Sequence, residues 1–380
     1  MQLLKLYALA TLLLFSTCKR RPGPEPDKNA LVFIGTDSPS QGTLYALDAN
    51  TGQPKWTFET TNYMPSSPTV AGRTVYAASD DGFLYAFDVD TGVQRWRFNI
   101  GGYIVSSPTV ANGVVYIAGG NDGKLYAIDA NLGTEKWSTS VKGAANLSTS
   151  IISSPLLVDN LVYIGSVSGR LSAVNAATGA LVWQFTARDS TPIMAGSTTQ
   201  NGIIYTSSLT TVYALNAQTG ALLWEYDTGF PATNSSPTLY DGVLYVNVQD
   251  LELVALDAPS GRLLWKLPIQ SGAVSASRRS SPVVQDGILY MANTDLNLYA
   301  IDLSRKQIKW KLRTGAVYMV SSPVIANGII YLGGDKLYAV NASDGTVQWT
   351  YRTNAGMDAS ACVLTTKGNV YHSGISGVTR

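Results

Sequence analysis

Histidine occurs once and cysteine twice in the 380 residues, and the two cysteines, Cys18 and Cys362, stand at opposite ends of the chain. A metal centre built from His or Cys ligands has almost nothing to draw on. Charge is also scarce: charged residues make up 14% of the chain, with 27 basic against 26 acidic side chains, a net charge of +1. That balance gives no basic surface for nucleic acid and no field for acidic substrates. After the first fifteen residues no apolar run reaches 18 residues, so no later segment reads as a membrane-spanning helix. Nowhere does an apolar 3.6-residue period with caps appear, so almost no helix is expected. Nucleophile elbow, P-loop and dinucleotide fingerprint are absent too.

What the chain does have is a phrase. LYAIDANLGTEKW carries Ala127, Asp129, Gly133 and Trp137 at fixed spacing. It returns so regularly that all eight tryptophans (Trp56, Trp96, Trp137, Trp183, Trp224, Trp265, Trp310 and Trp349) occupy one place in it, in steps of 40, 41, 46, 41, 41, 45 and 39 residues. Leu125–Ile128 is a short apolar run of the kind a strand covered on both faces shows. Asp129 to Gly133 is turn chemistry: a carboxylate accepts backbone N–H groups just ahead of it, and glycine takes the left-handed position. A tryptophan at one offset in each repeat reads as a wedge between neighbouring sheets, its indole N–H on a backbone carbonyl next door. The repeat ending at Trp310 has Arg305-Lys306 where the glycine belongs, so Trp310 is expected to be the most loosely held.

Around Trp137 the repeat divides into four strands: SSPTVANG (106–113), VVYIAGG (114–120), KLYAIDA (124–130) and one opening at Glu135. Three hairpins in about 41 residues make one small antiparallel sheet, and that period is a propeller blade's. The SSP mark occurs at Ser66, Ser106, Ser153, Ser235, Ser280 and Ser321, with degraded copies near Ala195 and Ser360. The expected fold is therefore all-β, an eight-bladed propeller of four-stranded antiparallel blades. The chain enters mid-blade at Leu31–Ile34, and residues 361–365 return to supply that blade's first strand, which removes the open edge of a linear array. A ninth second-strand copy around Tyr371 is surplus: it either displaces Leu31–Gly35 or lies beside the blade.

Three segments follow. Residues 1–18 form a signal peptide with Lys5 ahead of an apolar run at 6–15 that is too short to span a bilayer. This stretch resembles a bacterial lipoprotein signal with Cys18 as the lipidated residue, although Phe15 and Thr17 depart from that pattern. A plain cleaved signal is the alternative. Residues 19–29, rich in proline and mixed charge, form a tether, and residues 30–380 are the single propeller domain.

From Ala30 onward the repeat resembles the pyrroloquinoline-quinone-type tryptophan-docking family. That family has enzymatic members, which hold the quinone and a calcium ion in the central funnel, and non-enzymatic lipoproteins of outer-membrane assembly. Resemblance to the enzymes would imply a vicinal cysteine disulfide over the quinone, an Asp base, and Glu and Asn calcium ligands. This chain has no adjacent cysteines. Its recurrent Asp48, Asp88, Asp129, Asp257 and Asp302 stand at one turn offset, which reads as structural. Resemblance to the second group implies no enzyme activity and no cofactor, with export to the cell envelope. The implied partner is a protein, the β-barrel assembly machinery, and the membrane is contacted through a lipid anchor only. Lys19 after the anchor cysteine points to the outer membrane. A quinone-dependent or other small-ligand enzyme and a general periplasmic interaction scaffold are the competing readings.

Departures from the repeat mark candidate partner-binding residues. Two fourth-to-first-strand connections are long, 138–152 and 268–279. The residues before each SSP mark should lie at the channel mouth on the same face: Tyr63, Met64, Tyr103, Phe230, Arg278, Arg279, Tyr318, Met319 and Met357. Arg188 and Asp189 join them from a neighbouring connection. Aromatic, Met and Arg side chains are enriched at binding hot spots. The alternative is that these side chains plug the centre of the ring. His372, in the surplus strand, reads as a bystander.

Overall fold

The computed structural model describes residues 27, 29–38, 40–141, 151, 153–229, 235–248, 252–269, 280–293, 295–315, 321–353 and 355–372. Its described strands form eight antiparallel sheets arranged as the blades of a propeller, seven of four strands and one of five. The only described helical element is a single 3-10 turn, Arg188–Ser190. Within blade 3 the strands run Thr109–Ala111, Val114–Ala118, Lys124–Asp129 and Glu135–Ser140, from the channel outward. The first strand is shorter than its sequence suggests, because Pro108 cannot donate to a ladder and pairing begins only after it.

The second and third strands are apolar on both faces because each blade is sandwiched between two others. Leu161–Gly165 is buried along its whole length. Eight apolar clusters result, each shared by two adjacent blades. The repeat phrase locks these interfaces. Trp96 Nε1 donates to the carbonyl of Ala130 in the next blade (3.0 Å), and Tyr76 Oη donates to the same oxygen (3.1 Å). A Cβ on Gly133 (φ 67°) would lie 2.6 Å from Trp96 Cδ2, so the indole's flat face requires glycine there.

Each turn glycine therefore receives the tryptophan of the preceding blade. This corrects the expectation about Trp310, which lies against Gly345 and reaches Ala342 O at 3.2 Å. The blade whose tryptophan meets the substituted turn is blade 6. There Lys306 (φ 54°) takes the glycine's place and Leu303 the alanine's. Among the described residues, Trp265 is the one repeat tryptophan whose indole N–H reaches no carbonyl.

The ring closes between blades 8 and 1. Leu31–Gly35 pairs on one side with Thr43–Asp48 and on the other with Cys362–Leu364, the strand returned from the chain's far end. Trp349 Nε1 and Tyr331 Oη both donate to Ala49 O. The surplus strand, Val370–His372, displaces nothing. It pairs with the channel-side edge of Cys362–Leu364 as a fifth strand, and so lies inside the central channel against the innermost strands of blades 2 and 8. Cys362 is buried in this clasp, and burial pushes its thiol up to about 12.

Candidate functional site: the loop face and the channel mouth

Fourth-to-first connections and second-to-third turns share one face. Asp80 N–H donates to Tyr63 O and Met64 N–H to Thr36 O, tying each connection to a neighbouring turn. The SSP marks meet there in a belt around the channel. The second serine of each mark accepts an N–H from the preceding blade: Ser67 N–H to Ser107 Oγ (3.0 Å), Ser107 to Ser154 (3.0 Å), Ser236 to Ser281 (2.9 Å) and Ser281 to Ser322 (2.9 Å). The belt continues from Ser322 to Ser360 (2.9 Å) and from Ser360 back to Ser67 (2.9 Å). This fixes the last mark as Ala359-Ser360-Ala361. In blade 5, Gly196 supplies the N–H but no hydroxyl, donating to Ser236 Oγ (2.9 Å). The first serine of the mark turns inward: Ser153 Oγ donates to Gly165 O (2.9 Å) and accepts its N–H (2.8 Å). No single repeat carries a signal for the belt, since each bond joins residues in different blades.

Behind the belt lies a cavity of about 280 Å³, bounded by the serines, by first-strand residues such as Thr109 and Leu156, and by His372. No carboxylate, Lys or Arg lines it among the described residues. Asp241 and Asp286 line the opposite end of the channel, on turns between first and second strands. Among the described residues no three His, Cys, Asp or Glu side chains gather as metal ligands.

The predicted partner residues separate into three groups. Met64 (0% exposed) and Met357 (1%) are fully buried, which removes them from any partner surface. They do not plug the centre of the ring either. Each is a peg between blades: a Cβ on Gly35 would meet Met64 O at 2.6 Å, and one on Gly333 would meet Met357 O at 2.9 Å. Ile104, Ile151 and Ile193 are buried at the corresponding place. The sequence signal was available, an apolar residue two positions before six of the eight marks, and it belongs to packing where the residue is described.

Tyr63 and Tyr103 stand one residue earlier and are 36% and 40% exposed. Arg188 opens the 3-10 turn with its guanidinium 2.7 Å from Glu225 of blade 5, and its backbone N–H donates to Tyr213 Oη (3.0 Å). Asp189 follows in the same turn. Cys18, Phe230, Arg278, Arg279, Tyr318 and Met319 lie outside the described residues. Paired aspartates stiffen the rim of this face: Asp81 accepts from Tyr85 Oη (2.7 Å), and Asp122 and Asp295 accept from Tyr126 and Tyr299. Burial, then the neighbouring carboxylate, raises all three phenols far above their ordinary range.

No curated protein matches the chain. Solved structures do. BamB from Moraxella catarrhalis superposes with a TM-score of 0.66 at 18% identity, over 81% of this chain and 96% of that one. A europium-containing methanol dehydrogenase gives 0.69 at 15% identity, over 80% and 81%. The quinohemoprotein alcohol dehydrogenase of Comamonas testosteroni gives 0.66 at 15%, over 81% and 70%. At these identities the likeness carries the fold alone, and it falls on BamB and on dehydrogenases alike. The family model described as outer membrane protein assembly factor BamB matches residues 40–192, 168–316 and 252–375, and to that family the chain belongs.

Proposed function

We propose that the protein is a non-enzymatic, extracytoplasmic binding scaffold that assists outer-membrane protein assembly. It is exported by residues 1–18, held at the outer membrane through a lipid on Cys18, and presents its loop face to a protein partner. The observation that carries this reading is the family match across residues 40–375. The channel supports it. A quinone with calcium needs carboxylate ligands and a stacking surface at the funnel mouth. The described mouth offers serine hydroxyls and His372, and the chain's own strand, Val370–His372, lies within the channel. Cys362 is buried alone in the clasp. Among the described residues, those at the mouth do not fit the quinone.

Pull-down from detergent-solubilised membranes tests the reading directly. Recovery of β-barrel assembly components is the expected result. Recovery of none of them, with other envelope proteins retained, would support a general periplasmic scaffold instead. A rise in melting temperature on adding quinone and calcium would revive the enzyme.

A further inference from the structure

In five blades the innermost strand ends on an apolar residue: Ala71, Ala111, Val158, Ala326 and Leu364. In the consecutive blades 5, 6 and 7 the same place holds Gln200, Tyr240 and Gln285. The hairpin does not ask for them. Its left-handed residue comes next in the chain, and it is Asn112 after Ala111 just as it is Asn201 after Gln200. All three exceptional residues line one cavity of about 730 Å³, at the end of the channel opposite the loop face.

The channel strand places this cavity off the ring's axis. Val370–His372 pairs with Cys362–Leu364 of blade 1 and packs on the innermost strands of blades 2 and 8, so it fills that side of the channel. The space left over runs along blades 5 to 8, with Tyr371 and His372 as its remaining wall. Two departures from the repeat, an extra strand and three successive substitutions, thus meet in one chamber. Tyr240 packs on one side against the interface of blades 6 and 7, Tyr371 against that of blades 8 and 1, and both are half-buried. Among the described residues the side chains of Gln200, Tyr240 and Asn327 hydrogen-bond to no protein group, and that of Gln285 reaches only Asp286, at 3.4 Å. Asp241 and Asp286 line the chamber, and no Lys or Arg does among the described residues.

We infer that this chamber is a saccharide-binding site, entered from the face opposite the loop face. Its volume lies within the range of small-molecule sites, about 300–1,000 Å³. A ligand bearing phosphate or carboxylate finds no Lys or Arg there to pair with. A purely apolar ligand would strip water from the amides and carboxylates and give nothing back. A sugar matches the lining group by group. The amides of Gln200 and Gln285 each offer donor and acceptor side by side, as neighbouring hydroxyls require. The carboxylates of Asp241 and Asp286 accept from further hydroxyls. The two phenol rings supply apolar surface for the C–H side of a pyranose, with a polar tip at its edge. The chamber uses none of the candidate partner residues, so it stands or falls independently of the proposed partner.

Calorimetric titration and saturation-transfer NMR of the wild-type protein with glucose, N-acetylglucosamine, cellobiose and N,N′-diacetylchitobiose test the assignment. At least one of these should bind more tightly than about 1 mM. Gln200→Ala with Gln285→Ala, which copies Ala111 and Ala326 of sister blades, should weaken that binding by at least about tenfold at an unchanged melting temperature. Tyr240→Ala should act in the same direction. If it also lowers the melting temperature, the glutamine pair alone decides. Asp241→Asn with Asp286→Asn, which copies Asn201 and Asn327, should weaken binding less than the glutamine pair does, because an amide oxygen still accepts from a hydroxyl. Failure of all four sugars to bind, or binding that survives the glutamine variant, would overturn the assignment. So would a chamber that takes spermidine but no sugar and loses the spermidine in the aspartate variant, because it would then be a cation site.

Discussion

At the scale of single residues, the turn carbonyl of the next blade is the hub of seven blade interfaces, an alanine's in six and Val89's in one, because it accepts an indole N–H and, in five blades, a phenol as well. Emptying a well-held indole site leaves a cavity and an unshared carbonyl. Trp137→Ala, with Nε1 on Ala176 O at 3.0 Å, should cost roughly 3–5 kcal/mol. Trp265→Ala should cost visibly less, since its indole has no carbonyl and lies against the Lys306 turn. Equal shifts in denaturant midpoint for the two would count against the interface described here. The turn aspartates supply a pH test. Backbone N–H donation from Leu132, then Lys136, holds the Asp129 carboxyl below its ordinary value. A depressed folded-state value means its contribution is complete above the unfolded value near 4 and is lost as pH falls through the folded one. Asp129→Asn, the residue that blades 4, 5 and 8 already carry, should lower the melting temperature at pH 7. The gap should close below about pH 3; a constant gap would mean that shape, not charge, is at work.

At the scale of elements, the clasp and the pegs make separable predictions. A chain ending at Thr365 keeps Cys362–Leu364 and loses the channel strand. It should stay monodisperse and fold with a modestly lower melting temperature. A chain ending at Ala361 loses the strand that pairs with Leu31–Phe33 and exposes that edge, so it should aggregate or fail to fold. If the two behave alike under size-exclusion chromatography, closure does not rest on Cys362–Leu364. Met357→Ala should cost roughly 2–5 kcal/mol as a core truncation; a neutral change would return Met357 to the surface. Blade number, strand order and the closing strand were all legible in the sequence, because the repeat states them eight times over. The fate of the Tyr371 strand was not, since its choice between blade and channel depends on which edge remains open once Leu31–Gly35 has paired. The pegs were misread for a similar reason. An apolar residue before an SSP mark has the same signature whether it faces a partner or a neighbouring blade, and only the close approach of Gly35 and Gly333 decides.

At the scale of the whole molecule, a ring built of copies can be specific only where the copies differ, and the loop face differs most. The loss of Met64 and Met357 to the core leaves Tyr63 and Tyr103 as its exposed aromatics among the described residues, beside Arg188, whose charge is already engaged by Glu225. Arg278 and Arg279, outside the described residues, are the other distinctive feature. Arg278 stands two positions before its SSP mark, where the marks of blades 1 to 5 have a buried apolar side chain. An unpaired guanidinium buried there would be costly, whereas one turned to a partner can grip carboxylates or carbonyls in bidentate fashion. Charge reversal at both arginines, and separately Tyr63→Ala with Tyr103→Ala, should weaken capture of the proposed assembly partner at an unchanged melting temperature. A true hot spot costs roughly 2 kcal/mol or more, a loss of about thirtyfold in affinity, readable by surface-immobilised titration. If the arginine pair unfolds the ring, Arg278 is an internal ion-pair member, and the tyrosine variant alone then reports on the face. If both variants fold and bind like the wild type, the partner surface lies off the loop face and this placement of the site fails.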